Sequence, residues 1–331
     1  MLRRPLIPLL LVLLVALLVW QRQPAADPPL SRTALMMGTL VEIKAYGADR
    51  PRLEAALDAA FAEMARLEQL FSPQLADSEV SRLSAAAGPL VVGAETAALL
   101  AMGQRIARRS DGAFDMGLGK LKTLWDIEGE QPRIPSEAAR ARALQGVGPE
   151  ALRIDGRRIG KSAPDLQIDL GGIAKGYAVD RAVEKLRQAG VVSAAVNAGG
   201  DIRLLGDRQG QPWRIGIQHP RRPGAVVATL ALQNRAVVTS GDYERYFEQD
   251  GVRYHHLFDP RTGQPARGCQ SVTVVAADAA SADALATAAF VLGPRRGLAL
   301  LEELPEVEGF LITADGRRLA TGGLEGFLQW H

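Results

Sequence analysis

The chain has 331 residues, of which 47% are hydrophobic and 23% charged, with 39 basic against 37 acidic side chains. That is the composition of an ordinary globular protein with room for one large domain or two moderate ones, and a net charge of +2 offers no broad basic surface for nucleic acid. The single cysteine, Cys269, excludes an internal disulfide, a multi-cysteine metal site and a CxxC redox pair.

Arg3 and Arg4 precede an unbroken apolar run from Leu6 to Trp20. These fifteen residues suit a signal-peptide core and fall short of the ~20 that a spanning helix needs. Gln21-Arg22-Gln23 ends the run and no cysteine follows, so a lipoprotein-type anchor is excluded. Residues 1–22 are therefore predicted to be a signal peptide or an uncleaved N-terminal membrane anchor. Either places the protein outside the cytoplasm, free in the periplasm or held at the inner membrane facing it. Residues 23–33 read as a linker, and a single domain is expected over 34–331.

Thr39–Tyr46 alternates like a strand. After Pro51, Leu53, Leu57, Ala60, Phe61, Met64, Leu67 and Leu70 recur at helical spacing, and a second helix over Ala94–Arg109 stops at Ser110-Asp111-Gly112. Leu152–Ile159 forms a hairpin about Asp155-Gly156, a pair that tolerates positive φ. Leu166–Leu170 reads as a strand, Gly171-Gly172 as a turn, and Ile173–Ala189 as a helix closed by Gly190. Residues 191–275 are strand-rich, with a turn at Asp250-Gly251. A helix over Ala282–Leu292 follows, with Ser281 as its cap and Gly293 past its end. A helix Arg295–Leu304 and a hairpin at Asp315-Gly316 complete the chain. Helices and strands mix without a βαβ rhythm, so the fold class is α+β.

Chemistry concentrates in a few segments. In Asp169–Asp180, two glycines between a strand and a helix let the backbone approach a ligand, and the helix N-terminus favours anions. Asp169 and Lys175 add a carboxylate and a cation there, although a plain strand-to-helix turn accounts for the same residues. Asp283 and Thr287 share one helix face, a hard-oxygen pair suited to Mg²⁺, or simply a dipole-complementing Asp and a back-bonding Thr. Asn197–Asp201, Thr239–Arg245 and Tyr254–Gly263 are further polar clusters. His255 and His256 point to opposite faces if they lie on a strand, so one is packed and one functional.

Met37-Gly38-Thr39, Gly112–Asp115, Asp169–Asp180, Asn197–Asp201, Thr239–Arg245, Tyr254–Gly263 and Ser281–Thr287 occur in the order seen in the FAD:protein FMN transferases, the ApbE family. The chain resembles that family over roughly residues 33–330. The resemblance implies a two-lobed flavin transferase fold related to T-folds, with FAD as bound substrate in the cleft between lobes. By motif position Met37, Ala113, Phe114, Asp115, Asp169, Lys175 and Leu257 are expected to contact FAD. Asp283, Thr287 and the Gly172 carbonyl, with the Ala286 carbonyl as a weaker candidate, are expected to bind Mg²⁺. The sequence departs from the family at Gln74, where an aromatic is usual; Phe71 is near enough to substitute.

The implied reaction is Mg²⁺-dependent transfer of FMN from FAD to a Thr or Ser of an acceptor flavoprotein, with AMP released. Its acceptor is expected in an extracytoplasmic part of a membrane redox complex. A hydroxyl nucleophile needs a base. His256 is the first candidate, His255 the fallback, and Asp259 would orient or replace it. An FAD pyrophosphatase and an exported FAD carrier are the alternative functions.

Overall fold

The computed structural model describes residues 28–331, and the reading of 1–22 as a signal or anchor lies outside them. The spine is an eight-stranded sheet of β1 (Leu30–Met36), β2 (Thr39–Tyr46), β3 (Ser193–Ala198), β4 (Asp201–Leu205), β5 (Ala236–Gly241), β6 (Cys269–Ala276), β7 (Glu308–Thr313) and β8 (Arg318–Ala320). Spatial order follows chain order and every neighbouring pair is antiparallel. The sheet is a meander, and the remaining elements are insertions between its strands, apart from Gly322–Leu324 and Leu328–Trp330 after the last of them.

The insertion between β2 and β3 carries α1 (Arg50–Phe71), α2 (Ala94–Arg109) and α3 (Ala174–Gln188), while α4 (Ala279–Glu302) links β6 to β7. Period-two alternation sorts side chains between two cores. In β5, Ala236 and Val238 join the helices, whereas Val237 joins Trp213, Ile217 and Phe310 beneath a second sheet. That second sheet has three strands, Leu328–Trp330, Val226–Leu232 and Trp213–Gln218, in that spatial order. The α+β expectation holds.

The helical periodicity of α1 buries Leu53, Leu57, Ala60, Met64 and Leu67 as expected. All three Asp-Gly hairpins form, with Gly156 at φ 54, the pair Asp250-Gly251 at φ 52 and 72, and Gly316 at φ 84. Three expectations need correction. The sheet begins at Leu30 rather than beyond Thr33, because Leu30–Thr33 pair with Glu42–Ala45. Over Leu30–Thr33 the strand has only one apolar residue, so no apolar run marks where it begins. Leu166–Leu170 is extended but has no strand partner. Its Ile168 N–H donates to Ser84 Oγ and its Asp169 N–H to the Met116 carbonyl. Finally, α4 is capped by Asp278, not Ser281; Gly293 ends its first helical stretch as expected, at φ 79 and ψ 177, and a second stretch follows from Pro294.

The N-terminal turns of α3 and α4 cap each other. Asp180 of α3 accepts the Ala279 and Ala280 N–H groups at 2.8 and 2.9 Å. In return the Gly176 N–H of α3 donates to Asp283 Oδ2 at 3.2 Å. Contact is close because residue 176 has no side chain: a Cβ there would stand 2.2 Å from the Ala279 carbonyl oxygen. Gly176→Ala is therefore expected to lower stability by about 3 kcal/mol, as overpacking against rigid backbone does. Thermal or urea unfolding checks this, and a wild-type midpoint would refute it.

Candidate functional site

The sheet opens where β4 and β5 separate. These strands pair only through Ala236 and Val237. Beyond them the β3–β4 turn, with Asn197 Oδ1 accepting the Gly200 N–H, swings away from Thr239–Gly241. A cleft of about 670 Å³ fills the gap. It shares Gly38, Lys122, Asp169, Lys175 and His256 with an adjoining basin of about 780 Å³. Each is within the range of small-molecule and cofactor sites, and together they suit an elongated ligand.

The turn Gly171-Gly172 and the first turn of α3 line this cleft. Gly172 sits between Phe114 and Thr287: a Cβ there would come within 3.2 Å of the Phe114 ring and 3.3 Å of Thr287 Oγ1. Asp169 Oδ1 accepts the Gly171 N–H at 2.8 Å and is ion-paired to Lys122. Lys175 reaches the other way, to Asp201 at 2.7 Å. Burial opposes its charge, but Asp201 and Asp283 outweigh that and hold its pKa above the usual lysine value.

Asp283 is buried in the same corner. Burial, reinforced by the neighbouring Asp201, pushes its carboxyl up to about 8. Thr287, one turn further along α4, lies 3.5 Å from Ser240 Oγ through its hydroxyl. A desolvated carboxylate, two hydroxyls and a glycine carbonyl make a hard-oxygen donor set, and two carboxylates facing one lysine leave room for a further cation. The residues present fit Mg²⁺. Among the described residues no cluster of three or more His, Cys, Asp or Glu forms a closed cage. The remaining ligands would then be waters or phosphate oxygens, as Mg²⁺ prefers. Ala286 is fully buried and does not line the cleft, whereas Gly172 does, beside Thr287.

On the opposite wall His255 and His256 diverge as their adjacency requires. The His255 ring is committed at both nitrogens: Nε2–H donates to the Ala266 carbonyl at 2.8 Å, and Nδ1 accepts the Leu257 N–H at 3.2 Å. Its edge meets Phe290, and burial lowers its pKa to about 4. It has no free lone pair and does not line the cleft, which removes it as a fallback base.

His256 does line the cleft. Its Nδ1 lies 3.3 Å from the Arg245 carbonyl, which can only accept, so Nδ1 carries the proton and Nε2 keeps its lone pair. Burial, then Arg245 and Lys122, hold the imidazole well below its ordinary pKa and therefore neutral. Asp259 does not orient it. That carboxylate makes two hydrogen bonds to the Arg261 guanidinium and stands outside the cleft lining.

The other predicted contacts do gather here. Ala113, Phe114, Asp115, Asp169, Lys175 and Leu257 line the main cleft, and Met37 lines the adjoining basin. Met37 is held at φ 51 in the β1–β2 turn, and its N–H donates to Glu68 Oε1 at 2.8 Å. Gln74 lines that basin as well. Phe71 touches it, but its ring lies edge-on to Tyr177 with centroids 5.9 Å apart and is spent in the core. Lys122 was not anticipated. It pairs with a residue 47 positions away, and no local pattern separates it from Lys120, which pairs with Asp165 outside the cleft.

Asp115 has one satisfied and one orphaned oxygen. Oδ1 accepts the Gly117 N–H at 2.6 Å, whereas Oδ2 is buried without a partner. Burial raises its pKa to about 7, opposed by backbone N–H groups. A buried carboxyl oxygen of this kind calls for a hydrogen-bond donor.

Hard-oxygen donors on one wall and a neutral imidazole on the other are groups suited to making and breaking phosphate esters. The comparisons narrow this. A model of the ApbE family matches residues 37–311, and the chain belongs to that family. It is 38% identical to the FAD:protein FMN transferase of Treponema pallidum, covering 89% of this chain and 87% of that one. Against the protein of the same name from Vibrio cholerae the figures are 36%, 88% and 91%. Its structure matches that of the ApbE protein from Thermotoga maritima with TM-score 0.84 at 35% identity, over 90% of this chain and 99% of that one. The apo flavinyl transferase ApbE of Pseudomonas stutzeri gives TM-score 0.81 at 34% identity, over 92% and 98%.

The Asp115 shift has a definite sign. Its folded pKa, about 7, lies above the ordinary aspartate value of 3.8, so its contribution to stability is fully present in acid and is lost as pH rises towards 7. Asp115→Asn is therefore expected to raise the unfolding midpoint of the FAD-free chain above neutral pH and to change it little near pH 4. It should also weaken FAD binding. Calorimetry at the two pH values decides, and an equal shift at both would refute the assignment.

Proposed function

We propose that the protein is an FAD:protein FMN transferase that moves the FMN half of FAD onto a Thr or Ser hydroxyl of an acceptor flavoprotein and releases AMP. The observation that carries this reading is the convergence of Gly172, Asp283 and Thr287 with a neutral His256 on one cleft. The names of the relatives support flavin transfer in general.

Asp283, Thr287 and the Gly172 carbonyl would hold Mg²⁺, which supplies charge neutralisation at the pyrophosphate. The N-terminal turn of α3 and Lys175 offer further positive potential to the same phosphates. His256 Nε2 accepts the proton of the acceptor hydroxyl as its oxygen bonds to the FMN phosphorus, and the bond to the AMP oxygen breaks. The Arg245 carbonyl fixes the tautomer that makes this possible. The phosphate charge raises the affinity of His256 for that proton over its value in the empty cleft. Asp115 Oδ2 takes a hydrogen bond from FAD, and Leu257 and Phe114 shield the reacting centre from bulk water.

The apolar run Leu6–Trp20 supports export, with the folded domain in the periplasm or tethered to the inner membrane. The acceptor then lies in an extracytoplasmic part of a membrane redox complex.

The test is in-gel flavin fluorescence after incubating the chain with FAD, Mg²⁺ and an acceptor domain carrying one target Thr. Labelling is expected to need Mg²⁺ and to vanish in Asp283→Ala. His256→Ala should lower turnover by about 10²- to 10⁴-fold, the usual worth of a positioned base. Full activity of that variant between about pH 6 and 9 would sink the base assignment. Release of FMN and AMP without labelling would make the enzyme a pyrophosphatase, and tight FAD binding without turnover would make it a carrier.

A further inference from the structure

The cleft has an open strand edge for one wall. Trp213–Gln218 is the terminal strand of the three-stranded sheet, and Gly216 and Gln218 line the cleft. Its register fixes which backbone groups are free. In the middle strand of that sheet, the Ala231 N–H donates to the Phe327 carbonyl and the Val227 carbonyl accepts from His331. Residues 227, 229 and 231 thus bond away from Trp213–Gln218. Their cross-strand partners Arg214 and Gly216, opposite Ala231 and Thr229, must direct N–H and C=O outward from the sheet. Two residues of that spacing present one repeat of an unpaired ladder.

Gly216 itself has no explanation inside the fold. Its φ is not positive, it is exposed, and a Cβ there would meet only Val226 methyls at an ordinary 3.4 Å. A strand-interior glycine that neither backbone nor packing demands marks a place where another backbone comes close. On the far side of the gap β5 is also open. The Arg235 carbonyl faces β4 and the Asp242 N–H faces β6, so by parity Thr239 and Gly241 turn their backbone groups into the cleft beyond the end of β4. Ser240, between them, is at the hydroxyl of Thr287.

We propose that the acceptor protein docks by strand addition. An extended segment of it pairs with the free edge at Arg214 and Gly216 and runs into the cleft, where its Thr or Ser meets the phosphate corner. This rests on the transferase reading and extends it to how the acceptor is held. Main-chain pairing supplies an affinity that is largely independent of sequence, and Gly216 leaves space beside the incoming chain. The occupant is the acceptor, not a second copy of this chain, because the edge is continuous with the cleft that contains His256 and Thr287.

Gly216→Pro tests it. The substitution removes an N–H that points away from the ladder, at an edge position where proline is tolerated. With the full chain, FAD, Mg²⁺ and the acceptor domain used above, the acceptor KM is expected to rise about tenfold, the worth of one lost backbone hydrogen bond and some misfit. FAD affinity should stay at the wild-type value. Gly216→Ala keeps the N–H but puts a Cβ beside the incoming chain, and should raise the acceptor KM less than Gly216→Pro does. In the unaltered chain, saturating acceptor should slow amide exchange across residues 213–218, a measurement that does not depend on the variant folding. Wild-type acceptor KM in Gly216→Pro, or unchanged exchange in that segment, overturns the docking mode and leaves the transferase standing. A wild-type chain that binds FAD but labels no acceptor overturns the transferase reading itself. Dimers that Gly216→Pro dissociates while transfer persists would give the edge to a second copy and also overturn the proposal.

Discussion

Everything in the site hangs on the point where two helix N-termini meet. A helix start carries unpaired N–H groups and the positive end of a dipole, and two such ends in contact should repel. Here each is neutralised by a carboxylate from the other, Asp180 on α4 and Asp283 on α3, across a contact only glycine at 176 allows. Burial pushes Asp180 up to about 6, and the two backbone N–H groups it accepts work against that rise. The arrangement places the Gly171-Gly172 turn of one helix against the Asp283–Thr287 face of the other. An anion-binding turn and a hard-oxygen face that mean little separately become one corner.

Electrostatics then gives the two walls of the cleft different characters. One wall concentrates ionisable groups at short range, with Lys175 paired to Asp201 beside Asp283 and Lys122 on Asp169. The opposing wall is kept uncharged: burial together with the cationic neighbours Arg245 and Lys122 holds the His256 imidazole unprotonated. Backbone carbonyls do the orienting, Arg245 for His256 and Ala266 for His255, so no carboxylate is needed behind either ring.

Where the sequence could be read, a local signal existed. The apolar spacing of α1, the Asp-Gly turns at 155–156 and 250–251, and the opposite faces of two adjacent histidines all follow from short-range geometry. The errors arose where the deciding contact is distant. Leu30–Thr33 looks like linker because an edge strand is recognised by its partner rather than by its own residues. Leu166–Leu170 looks like a strand because it is apolar and extended, yet its hydrogen bonds go to Ser84 and Met116. Asp259, three residues from His256, invited an orienting role, but the nearer Arg261 guanidinium claims it.

The sequence by itself determined the class of fold, the ordered motifs and most of the residues that line the cleft. It could do so because glycine turns, helix faces and strand alternation are properties of neighbours along the chain. Only the tertiary structure decided which histidine keeps a free lone pair, that Lys122 rather than Lys120 joins the site, and that Ala286 stays buried beneath it. Those outcomes depend on which groups separated by tens of residues share a desolvated volume, and no one-dimensional pattern encodes that neighbourhood.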